Sequence, residues 1–569
     1  MVRRKKVTAS VLAALMAVGS LAGTVSADPC PRNEQGYPDL GGETITIWFN
    51  MTSNNAQATS DMGEYHVIKD IEEKFNCKFE FIHPPVGQAQ DNFTIMMADS
   101  TLPDMIFCGG IDSYYPGGVE MAYADGVLYD YTDYIGEEYT PNFYNLIKDD
   151  EFLKKAVTDD EGRIIRLGAK ICGSEEADLT FTGPLIRKDY LEATGMDVPT
   201  TIDQWTALFQ AMKDNGVEYP LAVHASGGND LGPLFTTNMF SSAYGVAAND
   251  YYIKDDGTVA FGPYEDSYKD YLTLLNQWYE AGYINPDFTT QTENDIMSLD
   301  SSDRVGTAMT HLYTYGTTYY VTTESEDESK ALIAAPAPVL NEGDTQAALR
   351  SSSRGLGDYK YITADCKNVE ACIALLDALY LDDIDLELAN GEEGVGYHME
   401  DGVPVINAMA SDASTDELLG AAPQQWHTFE DTDLNYILTK KYNKGCQPDA
   451  LTLWKEQGTS QTLSNFILYN TEEAETRSSY QADVDTYVKE SLLKFVMGKE
   501  PLDNFETFQQ NLKDMHIEDL IWTPSPITNS FTSGNVFLKA PFVAVRAPRY
   551  KSSGIITDST PGSIFISTI

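Results

Sequence analysis

Several points in this chain place an aromatic ring beside a planar polar group, close to where a strand should give way to a loop. Trp48 and Asn50 stand at the end of the alternating run Thr44-Ile45-Thr46-Ile47-Trp48-Phe49. Asp104 precedes the apolar Met105-Ile106-Phe107, and Tyr114 and Tyr115 follow in the Gly-rich loop after Cys108. Tyr244 sits among small residues in Ser241-Ser242-Ala243-Tyr244-Gly245, and His311, Tyr313 and Tyr315 follow the strand pattern Thr307–Thr310. Arg350 and Arg354 flank a serine run, and Trp426 and His427 form an aromatic loop after Pro423-Gln424-Gln425. Rings of this kind stack on C–H faces, while Asp, Asn, Arg and Gln read hydroxyl groups. Such groupings suit non-covalent recognition of a polyhydroxylated solute. Each candidate also has a structural reading. Trp48 and Asn50 could be core packing plus a turn, Asp104 could order its own strand, and the two arginines could form exposed salt bridges. With 34 Tyr, 23 Phe and 6 Trp in the chain, many rings must serve the core; Trp205 and Trp278 read as helix core.

Bond-making signatures are missing. The chain has no Gly-x-Ser-x-Gly elbow, no His-Glu-x-x-His helix, no Gly-x-x-x-x-Gly-Lys loop and no Gly-x-Gly-x-x-Gly turn. Its seven histidines lack metal-ligand spacing, and Asp383-Ile384-Asp385-Leu386-Glu387 lacks the glycine of a calcium loop. Seven scattered cysteines without a Cys-x-x-Cys argue against a zinc ribbon or a thioredoxin-type site, and a single disulfide is left unassigned. The expectation is a non-enzyme with no cofactor and no metal. The 87 acidic residues supply countless carboxylate pairs, so abundance alone does not define a hydrolytic dyad.

The elements that would hold these residues alternate. The strand Thr44–Phe49 leads to helical spacing over Val67–Phe75, a strand Cys77–Ile82, a helix near Phe93–Ala98 and a strand Leu102–Cys108. This order predicts a parallel sheet flanked by helices, with ligand beyond the C-terminal strand ends. At the N-terminus, Arg3, Arg4, Lys5 and Lys6 precede an apolar run from Val7 to about Leu21, and Val25-Ser26-Ala27 fits a cleavage site. Residues 1–27 therefore read as a signal peptide, followed by a polar linker at 28–42. Leu21-Ala22-Gly23-Thr24 lacks the cysteine of a lipobox, so the expected location is extracellular, secreted or surface-associated. The remaining chain carries 34 basic against 87 acidic residues, a charge of −53 that repels nucleic acid and anionic lipid. About 540 residues exceed one ordinary core, which predicts two lobes. Residues 521–569 form an atypical tail, basic through Lys539, Arg546, Arg549 and Lys551. It is either an added segment or the product of a shifted reading frame, and no function is assigned to it.

Longer motifs carry a resemblance. Pro184-Leu185-Ile186-Arg187-Lys188-Asp189-Tyr190-Leu191-Glu192-Ala193-Thr194-Gly195, followed by Val198-Pro199-Thr200-Thr201-Ile202-Asp203-Gln204-Trp205, reads as a strand, a helix stopped at glycine and a new capped helix. This order resembles the signature of family 1 extracellular solute-binding proteins of carbohydrate-type ABC importers, of Gram-positive lineage. Leu102-Pro103-Asp104, Leu274–Phe288, Arg304–Met309, Glu393–Tyr397 with Asp401-Gly402, and Phe495–Leu502 match further family segments in order. The resemblance implies an α/β, type II periplasmic-binding-protein fold similar to maltose-binding protein. Two discontinuous lobes would enclose a cleft by hinge motion, with 43–166 and 334–395 in the N-terminal lobe and 167–333 and 396–520 in the C-terminal lobe. It implies that His311, Tyr313 and Tyr315 stack on ligand, since the related fold places aromatics after this strand. It also implies a monomer that captures a neutral sugar or oligosaccharide and passes it to permease subunits. An extracellular polysaccharide-binding or adhesion protein, and a glycan-degrading enzyme, are the alternatives; within the importer class a peptide or other polar solute also stays open.

Overall fold

The computed structural model describes residues 29–522, apart from 86–87, 100, 108–109, 160, 175, 226–230, 255, 346–347, 350–354, 408–412, 431, 460–468 and 470. The expected signal peptide and most of the atypical tail lie outside the described residues, as do Arg350 and Arg354. Two sheets organise two cores. In the first, Glu43–Phe49 lies between the parallel strands Cys77–Ile82 and Met105–Phe107, and Lys360–Ile362 adds antiparallel to Met105–Phe107. Helices His66–Lys74 and Ala89–Met97 make the crossovers, as the alternating sequence pattern predicts. In the second, Thr182–Arg187 and Val305–His311 pair antiparallel between Leu332–Ala334 and Tyr219–Ala222.

The long motif explains the entrance to the second core. Arg187 ends a strand and is buried, and its Nε and Nη2 grip both oxygens of Asp189 at 2.9 and 2.6 Å. Its Nη1 donates to buried Asp300 at 3.1 Å. The following helix stops at Gly195, whose φ of 68° an L side chain would resist. Thr201 and Gln204 then form a capping box on Ile202–Asp214. Trp205 and Trp278 are core residues as read: Phe209 meets Trp278 edge-on at 5.0 Å, and Phe240 meets Trp205 at 5.4 Å.

The chain crosses between the cores three times, and all three crossings share one small sheet. Lys170–Cys172 pairs antiparallel with Gly355–Gly357 and parallel with Phe429–Glu430. Ile171 and Leu356 belong to the first core, and Ala177, Ala348 and Ile437 to the second. Lys170 holds this connecting sheet together through its Nζ, 2.7 Å from Asp358 and 2.5 Å from Glu430. Lys441 reaches the other Glu430 oxygen at 3.4 Å. His427 and these lysines hold the Glu430 carboxyl far below its usual range despite its burial.

The stretch read as a linker at 28–42 is, over its described residues, strapped to the first core. Leu40 is buried and its N–H donates to Phe75 O. Arg32 Nη2 meets Asp377 Oδ2 at 2.9 Å, and Asp377 also accepts from Asn142 and from the Phe143 N–H. Burial pushes the Asp377 carboxyl up to about 6, against the pull of Arg32. The unfolded chain therefore releases this proton first, so the Asp377 contribution to stability falls as pH rises from about 4 through 6. Removing the cation enlarges that loss. Arg32→Ala is expected to destabilise the fold by about 3 kcal/mol at pH 7 and by clearly less at pH 4. Denaturant titrations at the two pH values measure this.

Candidate functional site

The two cores approach each other where helix Gly118–Ala124 of the first meets helix Thr471–Val496 of the second. Gly117 permits the approach: at φ +83°, an added Cβ would lie 2.2 Å from Met121 Cγ and 3.2 Å from Ala474 O. Beside it, Tyr469 N–H donates to Glu120 Oε1 across the gap at 3.2 Å.

One wall comes from segments far apart in the chain. Asp112 lies in the short helix Gly110–Tyr114, directly after strand Met105–Phe107, where a parallel sheet exposes its C-terminal ends. Arg166 stacks on Tyr359, with 4.6 Å from guanidinium to ring centre, and its Nη2 is 3.6 Å from Asp112. The Tyr361 hydroxyl donates to Asp112 at 2.7 Å. Arg166 is 7% exposed, yet its Nε and Nη1 have no hydrogen-bond partner. A buried guanidinium with two idle donors costs stability, which is expected where a ligand completes the set.

The facing wall is supplied by the hairpin strand Tyr251–Ile253 and the long helix. The Tyr251 hydroxyl reaches Gln481 Oε1 at 3.4 Å, and Gln481 donates to Asp485 at 2.6 Å. Arg477 lies 4.5 Å over the Tyr469 ring, with its buried Nη1 unpartnered. Asp250 keeps an exposed surface, yet loss of hydration pushes its carboxyl up to about 6. Asp485 is exposed and raised for the same leading cause. Accessible carboxylates that nonetheless lose solvation mark a concave cleft with protein on most sides. Burial likewise raises Asp112 and Glu120 against the opposing pull of Arg166. Tyr469 feels the charges of both Glu120 and Asp250, and Tyr359 those of Arg166, Asp112 and Glu120, so Glu120 links the two walls in one neighbourhood.

The residues singled out by sequence fall into three groups. Trp48, Tyr315 and Trp426 are core side chains. Trp48 packs edge-on against Phe93 at 5.7 Å. Tyr315 is fully buried and donates to Asp300 of the Arg187 network. Trp426 is enclosed by Phe49, Phe79, Phe81 and Phe107, in the first core rather than in an aromatic loop of the second. Asp104 ties two strands, accepting from Thr46 N–H and hydroxyl at 2.9 and 2.7 Å, as its structural reading anticipates. Tyr244 packs on Tyr271 at 6.0 Å, against the second core.

A second group follows the C-terminal ends of the neighbouring parallel strands Glu43–Phe49 and Met105–Phe107. Tyr114 packs on Phe93 at 5.8 Å, and Tyr115 donates to Asp125. Both are half-buried beside Asp112, and Asn50 is half-buried just beyond the first strand. The third group gathers near the connecting sheet. Exposed His311 stacks with Phe181 at 6.0 Å, Phe181 with Tyr442 at 5.2 Å, and Tyr442 meets Tyr313 edge-on at 5.3 Å. Lys441 lies 5.6 Å over Tyr313, and His427 sits 3.8 Å from Glu430.

Asp112, Glu120, Arg166, Tyr251, Tyr359, Tyr361, Tyr469 and Arg477 were missed by sequence reasoning. Arg166 did leave a signal, as a lone arginine inside Ile164-Ile165-Arg166-Leu167. Among the described residues no group of three or more His, Cys, Asp or Glu could hold a metal ion, and no helix is long and apolar enough to cross a membrane.

Comparison with known proteins gives this cleft its context. The family model of the bacterial extracellular solute-binding proteins matches residues 64–384, more than half of the chain. The chain belongs to that family. A curated relative of this solute-binding protein is the fructooligosaccharide ABC transporter substrate-binding protein FusA of Streptococcus pneumoniae, 23% identical over 373 residues. That match covers 61% of this chain, and the chain spans 65% of the relative's length. Among solved structures, the alginate-binding protein AlgQ2 without calcium superposes with a TM-score of 0.69 at 18% identity, covering 86% of this chain and 98% of that one. FusA in complex with kestose gives 0.68 at 17% identity, covering 86% and 100%. A human-milk-oligosaccharide-binding solute-binding protein of Bifidobacterium longum infantis gives 0.68 at 16%, covering 86% and 99%. These likenesses establish the two-lobed periplasmic-binding-protein fold.

The placement of the rings is testable by stability. Trp426→Ala is expected to cost about 3–5 kcal/mol, as for a large core ring, whereas Tyr313→Ala at its half-buried site costs under about 1 kcal/mol. Chemical denaturation of the two variants measures the contrast.

Proposed function

We propose that this solute-binding protein captures a neutral sugar or oligosaccharide between its lobes and presents it, as an extracellular monomer, to the permease of an ABC importer. The observation that carries the reading is the cleft itself. Arg166, with two unpartnered donors, lies near Asp112 and Glu120 and stacks on Tyr359; Arg477, with one, lies near Asp485 and over Tyr469, and Asp250 and Tyr251 stand on the same wall as Arg477. Hydroxyl groups both donate and accept, so a sugar answers both kinds of group while its C–H faces cover the rings. Four acids against two arginines leave the cleft net negative, which disfavours uronic, sulfated and phosphorylated glycans.

The mechanism follows from the connecting sheet. Rotation about residues 170–173, 355–358 and 429–430 opens the cleft. A ligand touching both walls stabilises only the closed arrangement, which the permease then recognises. No bond is made or broken in this scheme, and the ligand is recovered unchanged. The FusA and milk-oligosaccharide relatives support an oligosaccharide over a peptide.

The test is a thermal-shift screen of neutral and acidic oligosaccharides, followed by calorimetry on hits and chromatography of the recovered ligand. A neutral glycan raises the midpoint and returns intact; a cleaved glycan, or a response to none, contradicts the proposal. Arg166→Ala is expected to weaken binding at least about tenfold, the cost of a charged hydrogen bond. As pH falls through about 6, protonation of Asp250 removes an acceptor and affinity drops. Asp250→Asn removes that part of the pH dependence, which calorimetry at pH 5 and 7.5 detects.

A further inference from the structure

Away from the cleft, the first lobe brings two thiols together. Cys366 sits in the loop between strand Lys360–Ile362 and helix Val369–Ala378, and Cys372 faces it from the first turns of that helix. Their sulfurs are 3.6 Å apart. Cys372 is 1% exposed and Cys366 only half-buried, so a reagent in solution reaches one of the pair. The loop is fastened on both sides: Asn368 caps the helix by accepting from Ala371 N–H, and Thr363 donates to Pro103 O at 2.7 Å. Among the described residues no cluster of three metal-ligating side chains exists, so these sulfurs do not form part of such a site.

We propose that Cys366 and Cys372 are a disulfide site, closed by an external disulfide oxidant once the chain leaves a reducing compartment. The sulfurs must approach by ~1.5 Å to reach bonding distance, a movement that side-chain rotation supplies. The Cys366 thiolate attacks the oxidant's disulfide, forming a mixed disulfide and releasing one thiol. Cys372 then loses its proton to the second leaving thiolate and closes the protein bond. Two protein thiols are oxidised, and one small disulfide is reduced to two thiols. The hydrogen bond to Cys366 and burial hold the Cys372 thiol protonated. This assigns the first attack to Cys366. The bond would lock the loop whose Lys367 N–H and Asp365 side chain contact Asp104 and Leu102, at the entry to the third strand of the first sheet.

The experiment equilibrates the purified chain with oxidised glutathione, quenches in acid, alkylates in denaturant and maps peptides by mass. Trypsin cuts at Lys367 between the two cysteines, so a bond leaves two peptides joined. The expected result is that linked pair, two fewer alkylated sites and a thermal midpoint a few degrees higher, reversed by dithiothreitol. Cys366→Ser abolishes the linkage and the rise. Should that variant fail to fold, the dithiothreitol reversal in the unaltered chain decides. Full alkylation of both cysteines, a rise that dithiothreitol does not reverse, or a bond from Cys30 to Cys372 overturns the proposal.

Discussion

Everything in this molecule depends on crossing between two cores at one place. Backbone leaving a core must keep its polar groups paired, and three separate crossings multiply that demand. The chain meets it by laying the crossings side by side as Lys170–Cys172, Gly355–Gly357 and Phe429–Glu430. Lys170 bridges Asp358 and Glu430, and Lys441 adds a second cation at Glu430, so this short sheet also carries a charge network. A junction of three strands laid side by side suits the proposed rotation of the lobes about a common line. In the proposed mechanism that geometry directs binding energy into closure rather than into loosening of either core.

The cleft is maintained at a cost to the unliganded protein. Arg166 is buried with two unpartnered donors, Arg477 is half-buried with one buried donor unpartnered, and Asp112 and Glu120 lose hydration beside Arg166. Polar groups left idle in this way favour a ligand that restores their hydrogen bonds, which is the physical content of the proposed recognition. The buried Arg187 network of the second lobe is the contrasting case. There, Asp189 and Asp300 fill the guanidinium's valences, and the arginine orders the fold without being available to solute.

The alternation of strands and helices in the first lobe, and its parallel pairing, were legible because the strands alternate and the crossover helices keep their period; the antiparallel edge strand Lys360–Ile362 was not. The Arg187–Trp205 motif was legible because stop and cap residues stand at fixed offsets. Ring placement was harder to read. Trp48, Tyr315 and Trp426 stand next to polar neighbours in sequence, but their surroundings are set by Phe93, Asp300 and the Phe49–Phe107 cluster, from other elements. The cleft was harder still. Asp112 and Arg166 precede the first crossing, Tyr359 follows the second and Tyr469 the third, so long-range folding brings them together and no local spacing encodes that meeting. Local pattern reports periodicity and capping, whereas a site between lobes is a property of the topology.

The most direct test of the account is a crystal structure of the protein with the glycan selected by thermal shift. The account predicts ligand between the walls, bonded to Arg166 and stacked on Tyr359 on one side, and touching Asp250 or Arg477 on the other. Ligand seated on one lobe alone, or outside the space between Gly118–Ala124 and Thr471–Val496, would contradict it.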